Sequence, residues 1–358
     1  MNRVYSGLQG KADQRRITML AKLLFALIQS GNSSLQKLGN YLPESTDSES
    51  RVKKSKRWLD SKYTDFETFF LPHIHCLLSK LASIGELILI MDGSEVGKGC
   101  TALMVSVGWR KRSIPVCWIV KSCKKGHLPV SAHLEVLEIV YKLLPSTCQV
   151  ILLGDGEFDS CAIQEFCRQN QWKYVLRTAK NTRIETQNGD HFSIGELYPM
   201  KNHRYLFVED IYFTKKRYGV INCMVWHLPK HQEPLYLITN IDWAKPVMDY
   251  YKRRFSIETI FGDIKSRGFN IHKVKIENPE RMSKLLLLVC IGFLLVFAFG
   301  TFEKQLKVYL PKFLRKDRIK HFSVFQIGFR AWQYFIKQQL KLFPEFSKDC
   351  FKNFCVRQ

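Results

Sequence analysis

A mixed α/β sheet flanked by helices is the fold class the sequence predicts, and three observations predict it. Two short apolar runs, in "ELILIMDGSEVG" and "CQVILLGDGEFDS", each end in an acid and a glycine, as buried strands do before a turn. Helical periods lie between and after these runs. From about residue 178 to 234 the helical period disappears and alternating, turn-rich sequence replaces it.

Residues 1–85 read as helical: "RRITMLAKLLFALIQ" is apolar-periodic, and "SSLQKLGNYLP" has a serine start and a proline stop. "SESRVKKSKRWLD" places five basic residues between Arg51 and Arg57. Lys53, Lys54 and Arg57 are candidates for DNA phosphate contact, beside the plainer reading of a solvated helix face. "TDFETFFLPHIHCLLSKL" opens on the capping-box pattern Thr64-x-x-Glu67. "TALMVSVGWRKRSIPVCWIVKS" reads as two strands around the turn Arg110, Lys111, Arg112, also phosphate-contact candidates. "SAHLEVLEIVYKLLP" predicts an amphipathic helix with Leu134, Leu137, Val140, Tyr141 and Leu144 on one side. "CAIQEFCRQN" is a helix and "KYVLRT" a strand. "RYLFVEDIYFTKKRYGVINCMVWHL" predicts a hairpin turning at Lys215-Lys216-Arg217, and Asn188-Gly189 marks another turn. "LYLITNI" is a further strand.

The chain has 358 residues, 46% hydrophobic and 13% aromatic, enough for a sizeable core and two or three domains. Its 55 Lys and Arg exceed 32 Asp and Glu, a formal +23 that favours a polyanionic partner, nucleic acid first and a membrane surface second. Eleven cysteines, an odd count with no C-x-x-C pair, argue against a zinc module or a disulfide framework and for a reducing, cytoplasmic or nucleoid-associated setting. The N-terminus is polar, without signal-peptide character. "LLLLVCIGFLLVFAFG" is uncharged from Leu285 to Gly300, but shorter than the roughly 20 residues a membrane span uses. It is expected to be a buried core helix, with no membrane partner.

In "YYKRRFSIETIFGDIKSRGF", Tyr251, Arg254, Glu258 and Lys265 recur at offsets that one continuous α-helix would gather within an arc of about 60°. Ile257, Ile260, Phe261 and Ile264 form the opposite, apolar stripe. Arg254 and Glu258 also suit an ordinary i,i+4 ion pair. Asp92 closes the first buried strand and Asp155 the second, where ligands of open α/β sheets gather. Two carboxylates brought close repel, and a divalent metal is the usual resolution. With Glu258 as a third oxygen ligand and no His/Cys cage, the set favours Mg²⁺ or Mn²⁺. Two such ions about 3.5–4 Å apart activate a water or a 3′-hydroxyl and stabilise a phosphodiester's leaving oxygen. Arg254 and Lys265 would face the flanking phosphates. Glu95, Glu157 and Asp159 are competing acids near the strand ends; Asp263, about 140° from Glu258 on a helix, points away.

The pattern Tyr251-x2-Arg254-x3-Glu258-x6-Lys265 resembles the Tyr-Arg-Glu-Lys signature of bacterial insertion-sequence transposases with a DDE triad. "LILIMDGSEVG" and "VILLGDGEFDS" resemble that family's first and second aspartate segments, and the likeness runs over roughly residues 86–300. It implies a ribonuclease-H-like core at 86–177 and 235–301, interrupted by a β-rich insertion at 178–234. A helical DNA-binding domain at 1–85 would precede it, and a helical region at 302–358, a possible dimerisation surface, would follow. It implies Asp92, Asp155 and Glu258 as catalytic and metal-binding residues, with Tyr251, Arg254 and Lys265 on DNA near the scissile phosphate. It further implies hydrolysis at the element's terminal inverted repeats, attack of the freed 3′-hydroxyl on target DNA, and a homodimer on double-stranded DNA. Alternatives on the same fold are a nuclease or resolvase that cuts without joining, and a DNA-binding relative without catalysis. Several relatives hold a flipped base on an aromatic residue of the insertion. Here Leu235 and Tyr236 stand ahead of "LIT", with Trp226 further upstream, and no such residue is assigned.

Overall fold

The computed structural model describes residues 5, 10–199, 203–228, 232–309, 312 and 321–355. A further phosphate-contact candidate in the sequence, the basic segment 311–320, lies outside them apart from Lys312.

Among the described residues five helices precede the first strand: α1 (Lys11–Ser30), α2 (Leu35–Tyr41), α3 (Ser48–Asp60), α4 (Phe66–Phe69) and α5 (Leu71–Ala82). Their starts follow capping chemistry. Ser34 accepts from the Lys37 N–H, Asp47 from Ser50 and Asp65 from Thr68. The cap of α4 is thus Asp65, one residue beyond the expected Thr64, because Thr64 Oγ1 instead donates to the Trp58 carbonyl at 2.8 Å and closes α3.

Among the described residues ten strands form one sheet: β1 (Leu87–Val96), β2 (Cys100–Trp109), β3 (Arg112–Lys121), β4 (Val150–Gly154), β5 (Lys173–Arg177), β6 (Arg183–Glu185), β7 (His191–Ser193), β8 (Tyr205–Phe213), β9 (Tyr218–Trp226) and β10 (Leu235–Thr239). Their order is β3-β2-β1-β4-β5-β10-β9-β8-β6-β7. Strands β1 to β3 are antiparallel neighbours, while β4 lies parallel to β1 and β5 parallel to β4. This is the ribonuclease-H-like arrangement. The β-rich segment is an extension of the same sheet: β10 pairs antiparallel with β5 on one side and with β9 on the other.

The first strand does not close at Asp92. It runs on to Val96 because β2 pairs with it through Val96 opposite Cys100, and the turn falls at Gly97 and Gly99, both at positive φ. Asp92 is therefore a mid-strand residue beside the point where the β4 pairing ends.

Helices α6 (Val130–Leu143) and α7 (Cys161–Gln169) cross over between strands. The buried side of α6 is rotated from the expected one: His133, Val136, Leu137 and Val140 face inward, and Tyr141 is exposed. After β10 come α8 (Ala244–Arg254), α9 (Ile257–Ile264), α10 (Pro279–Gly300), α11 (Glu303–Leu306), α12 (Val324–Lys337) and α13 (Pro344–Lys348). The apolar run predicted to be a core helix is α10, long and apolar enough to cross a membrane by composition, yet enclosed by the protein along most of its length. It packs against α1, α12 and β3. Its closest crossing is with α12, where a Cβ on Gly300 or Gly328 would fall about 2 Å from the other helix's backbone, so only glycine fits.

Candidate active site

The parallel register of β1 and β4 places the two aspartates. Ile90 pairs with Leu153, and two residues further along each chain stand Asp92 and Asp155. Asp155 begins a tight turn: Phe158 N–H donates to its carbonyl at 3.1 Å and Glu157 N–H to its Oδ1 at 3.0 Å. Asp92 is 3% exposed, and its carboxyl is held above the usual carboxylate range by burial and by the Asp155 charge, opposed by Lys125 and Arg254.

Two cations reach Asp92. Lys125, in the loop after β3, donates to Oδ1 at 3.2 Å. Arg254 Nη1 lies 3.8 Å from Oδ2, while its Nη2 donates to Glu258 Oε1 at 2.8 Å. The Arg254 guanidinium is thus wedged between the first aspartate and the glutamate. Its Nε is buried without a partner, a donor the protein leaves unused.

The segment that carries the four-residue pattern is not one continuous helix. It breaks at Phe255-Ser256 into α8 and α9, and Lys265 is the residue that ends α9 with non-helical backbone. The single-face geometry expected from an unbroken helix is replaced by a bend. Tyr251 and Arg254 are carried inward on the last turn of α8, and Glu258 sits on the first turn of α9 with its side chain 56% exposed. The Tyr251 hydroxyl is raised to about 12 by burial. Lys265 is half-buried, and burial followed by the neighbouring Lys125 charge lowers its pKa. The charges of Glu95 and Asp92 oppose that shift. The apolar stripe is as expected, with Ile257, Ile260, Phe261 and Ile264 buried. Asp263 is buried too and pairs with Arg267 at 2.8 Å.

The other expected DNA-facing residues are spread over the surface. Arg110 stacks on Trp109, and with Lys111 it lines a cleft of about 640 Å³ shared with Lys252, Arg253 and Phe255. Arg112 is half-buried at the start of β3. Lys53 pairs with Glu49 and Lys54 with Glu44, while Arg57 is exposed. Two groups escaped the sequence reading, Lys125 and His133. The first lies in a loop without periodicity, and the second was hidden by the rotated face of α6.

Among the described residues no three His, Cys, Asp or Glu side chains are grouped to hold an ion as they stand, and Glu258 is turned onto Arg254. The donor chemistry nonetheless fits a hard divalent cation. Asp92 and Asp155 feel each other's charge, Asp92 is buried, and carboxylate oxygens are the donors that suit such an ion.

A ribonuclease-H-like sheet with one aspartate within its central strand β1 and another just past the end of the parallel strand β4 defines the class of protein. A family model described as "Transposase DDE domain" matches residues 90–295. That is more than half of the chain, which therefore belongs to the DDE transposase family. No curated protein matches it. Among solved structures, the "Cryo-EM structure of piggyBac transposase synaptic complex with hairpin DNA" is similar at 11% identity and a TM-score of 0.43, covering 100% of this chain and 74% of that one. At that level the likeness bears on neither site nor substrate.

Proposed function

We propose that this DDE transposase binds the ends of an insertion sequence, cuts them by metal-dependent phosphodiester hydrolysis and joins the 3′-hydroxyl ends to target DNA. The observation that carries the reading is the adjacency of Asp92 and Asp155 at the end of the β1–β4 pairing, with Arg254 linking Asp92 to Glu258. Asp92 and Asp155 would hold Mg²⁺ or Mn²⁺, two ions in the full site, and Glu258 would join them on leaving Arg254. The metal, when bound, supplies Lewis-acid stabilisation of the phosphoryl oxygens and a nucleophile active at neutral pH.

The chain's own residues do the rest. Arg254, freed from Glu258, turns its guanidinium and unused Nε to the phosphate beside the scissile bond. Lys125, which donates to Asp92, and Lys265 neutralise charge as the phosphate enters. Tyr251, buried on α8, fixes the helix end that carries Arg254. The cleft lined by Arg110, Lys111, Lys252 and Arg253 takes backbone phosphates further along the duplex, and Arg57, Lys53 and Lys54 contact DNA from the N-terminal helices. Two copies, one per end, would act together on the DNA.

The test is a strand-cleavage and joining assay with the purified chain, duplex DNA carrying the inverted repeats that flank its gene, Mg²⁺ or EDTA, and a Glu258→Gln control. Metal-dependent cutting and joining, lost in the control, is the expected result. Cutting without joining would favour a nuclease. Tight binding with no cutting in any divalent metal would leave a DNA-binding relative.

A further inference from the structure

His133 is 1% exposed, on the inner face of α6, and neither ring nitrogen has a hydrogen-bond partner. A buried, unpaired polar group costs on the order of 1–3 kcal/mol, so a histidine kept in such a place has another use. Its ring packs edge-on against Phe158, with centroids 4.9 Å apart. Its Nε2 lies 3.8 Å from Glu157 Oε1, itself buried and without a partner. One imidazole thus touches two successive residues of the turn that begins at Asp155. The other oxygen of Glu157 lies about 3.8 Å from where a Cβ on Gly93 would stand, next to Asp92. The Glu157 carboxylate therefore spans from α6 to β1, alongside the two aspartates.

We propose that His133 is a positioning residue for the Asp92–Asp155 pair: by closing the 3.8 Å gap it donates to Glu157, and with Phe158 under its ring it clamps the turn on which Asp155 rides. This rests on the reading of Asp92 and Asp155 as the metal-holding pair. Asp155 spends one oxygen on its own turn, so the direction of the other depends on how firmly that turn is held. Outer partners of this kind set ligand orientation, and their loss typically lowers metal affinity or activity about 10–100-fold.

The experiment compares wild type, His133→Phe, His133→Gln, Glu157→Met and the Phe/Met double variant. Each is measured for melting temperature in EDTA, for the rise in melting temperature on adding Mn²⁺, and for cleavage of end-containing duplex. His133→Phe keeps the ring packing and removes the donor. It should fold, lose most of the Mn²⁺-induced rise and cut about ten-fold more slowly, and His133→Gln should recover much of both. The double variant should melt no lower than the less stable single one, since the two side chains act as one unit. Additive losses in EDTA, or a Phe variant that answers Mn²⁺ and cuts like wild type, overturn the proposal. A wild type that neither answers Mn²⁺ nor cuts removes the transposition reading, and the EDTA comparison still decides whether the clamp exists.

Discussion

Asp92 and Asp263 are both buried carboxylates whose pKa burial raises, yet their surroundings differ in kind. Asp263 has a dedicated partner: Arg267, four residues on and just past the end of α9, donates to it at 2.8 Å and is itself anchored to the Thr259 carbonyl at 2.7 Å. Asp92 shares two looser cations, Lys125 at 3.2 Å and Arg254 at 3.8 Å, and both lie next to other acids or cations of the centre. It also stands beside a second aspartate. A carboxylate that only supports the fold is matched by one close, local cation. A carboxylate kept for exchange is matched by partners that a metal and a phosphate displace without unfolding anything.

The sharpest break in that comparison is catalytic. Asp92→Asn should abolish cutting, by a factor on the order of 10²–10³ or more, while Asp263→Asn cuts at close to the wild-type rate. A strand-cleavage time course on both variants measures it, and equal loss in the two would erase the distinction.

The next effect is on stability against pH. Asp263 has a folded pKa of about 6 against an ordinary 3.8. Between those values the folded state holds the extra proton, so this group's stabilisation is complete below the lower value and is lost as pH rises through about 6. Urea titrations from pH 4 to 7 should show wild type losing up to about 3 kcal/mol relative to Asp263→Asn. A constant difference across that range would mean that Asp263 is not buried as described.

Removing the cations gives a smaller contrast. Arg267→Ala leaves Asp263 buried without its close partner and should cost roughly 2 kcal/mol, below the usual cost for a buried pair because Arg267 is partly exposed. Lys125→Ala leaves Asp92 with Arg254 and should shift stability by less than about 1 kcal/mol while slowing cleavage. Chemical denaturation of both, beside the cleavage assay, separates the two roles. The smallest effect is expected far from either acid. Arg110→Glu with Lys111→Glu should weaken duplex binding across all sequences and lower the salt slope by about 1 for each phosphate no longer neutralised. An unchanged slope would take the cleft off the DNA path.

Much of this was legible in the residues because strand ends and apolar runs are local signals. The two aspartate-bearing strands, the hairpin turning at Lys215–Arg217 and the enclosed α10 all follow from short-range pattern. What escaped depends on partners distant in sequence. Asp92 sits mid-strand because β2 pairs beyond it, and nothing in "IMDGSEVG" reveals how far a neighbour will extend. The bend at Phe255-Ser256 carries no proline or glycine, so a regular 3.6-residue period ran straight through it. That bend decides that Arg254 reaches inward while Glu258 faces out. His133 was missed for a similar reason, since a rotation of α6 by about one residue changes which side chains are buried.

The docking of α1 on α10 also governs how the chain is made. Leu24 and Leu27 of the first helix reach Gly292 of α10, some 265 residues later. During synthesis α2 covers one part of α1 early, while the part that packs on α10 has no native partner until that helix is made, and pairings of such sequence separation are slow to form. The side of α1 that carries Leu24 and Leu27 is therefore completed late, although that helix is made first.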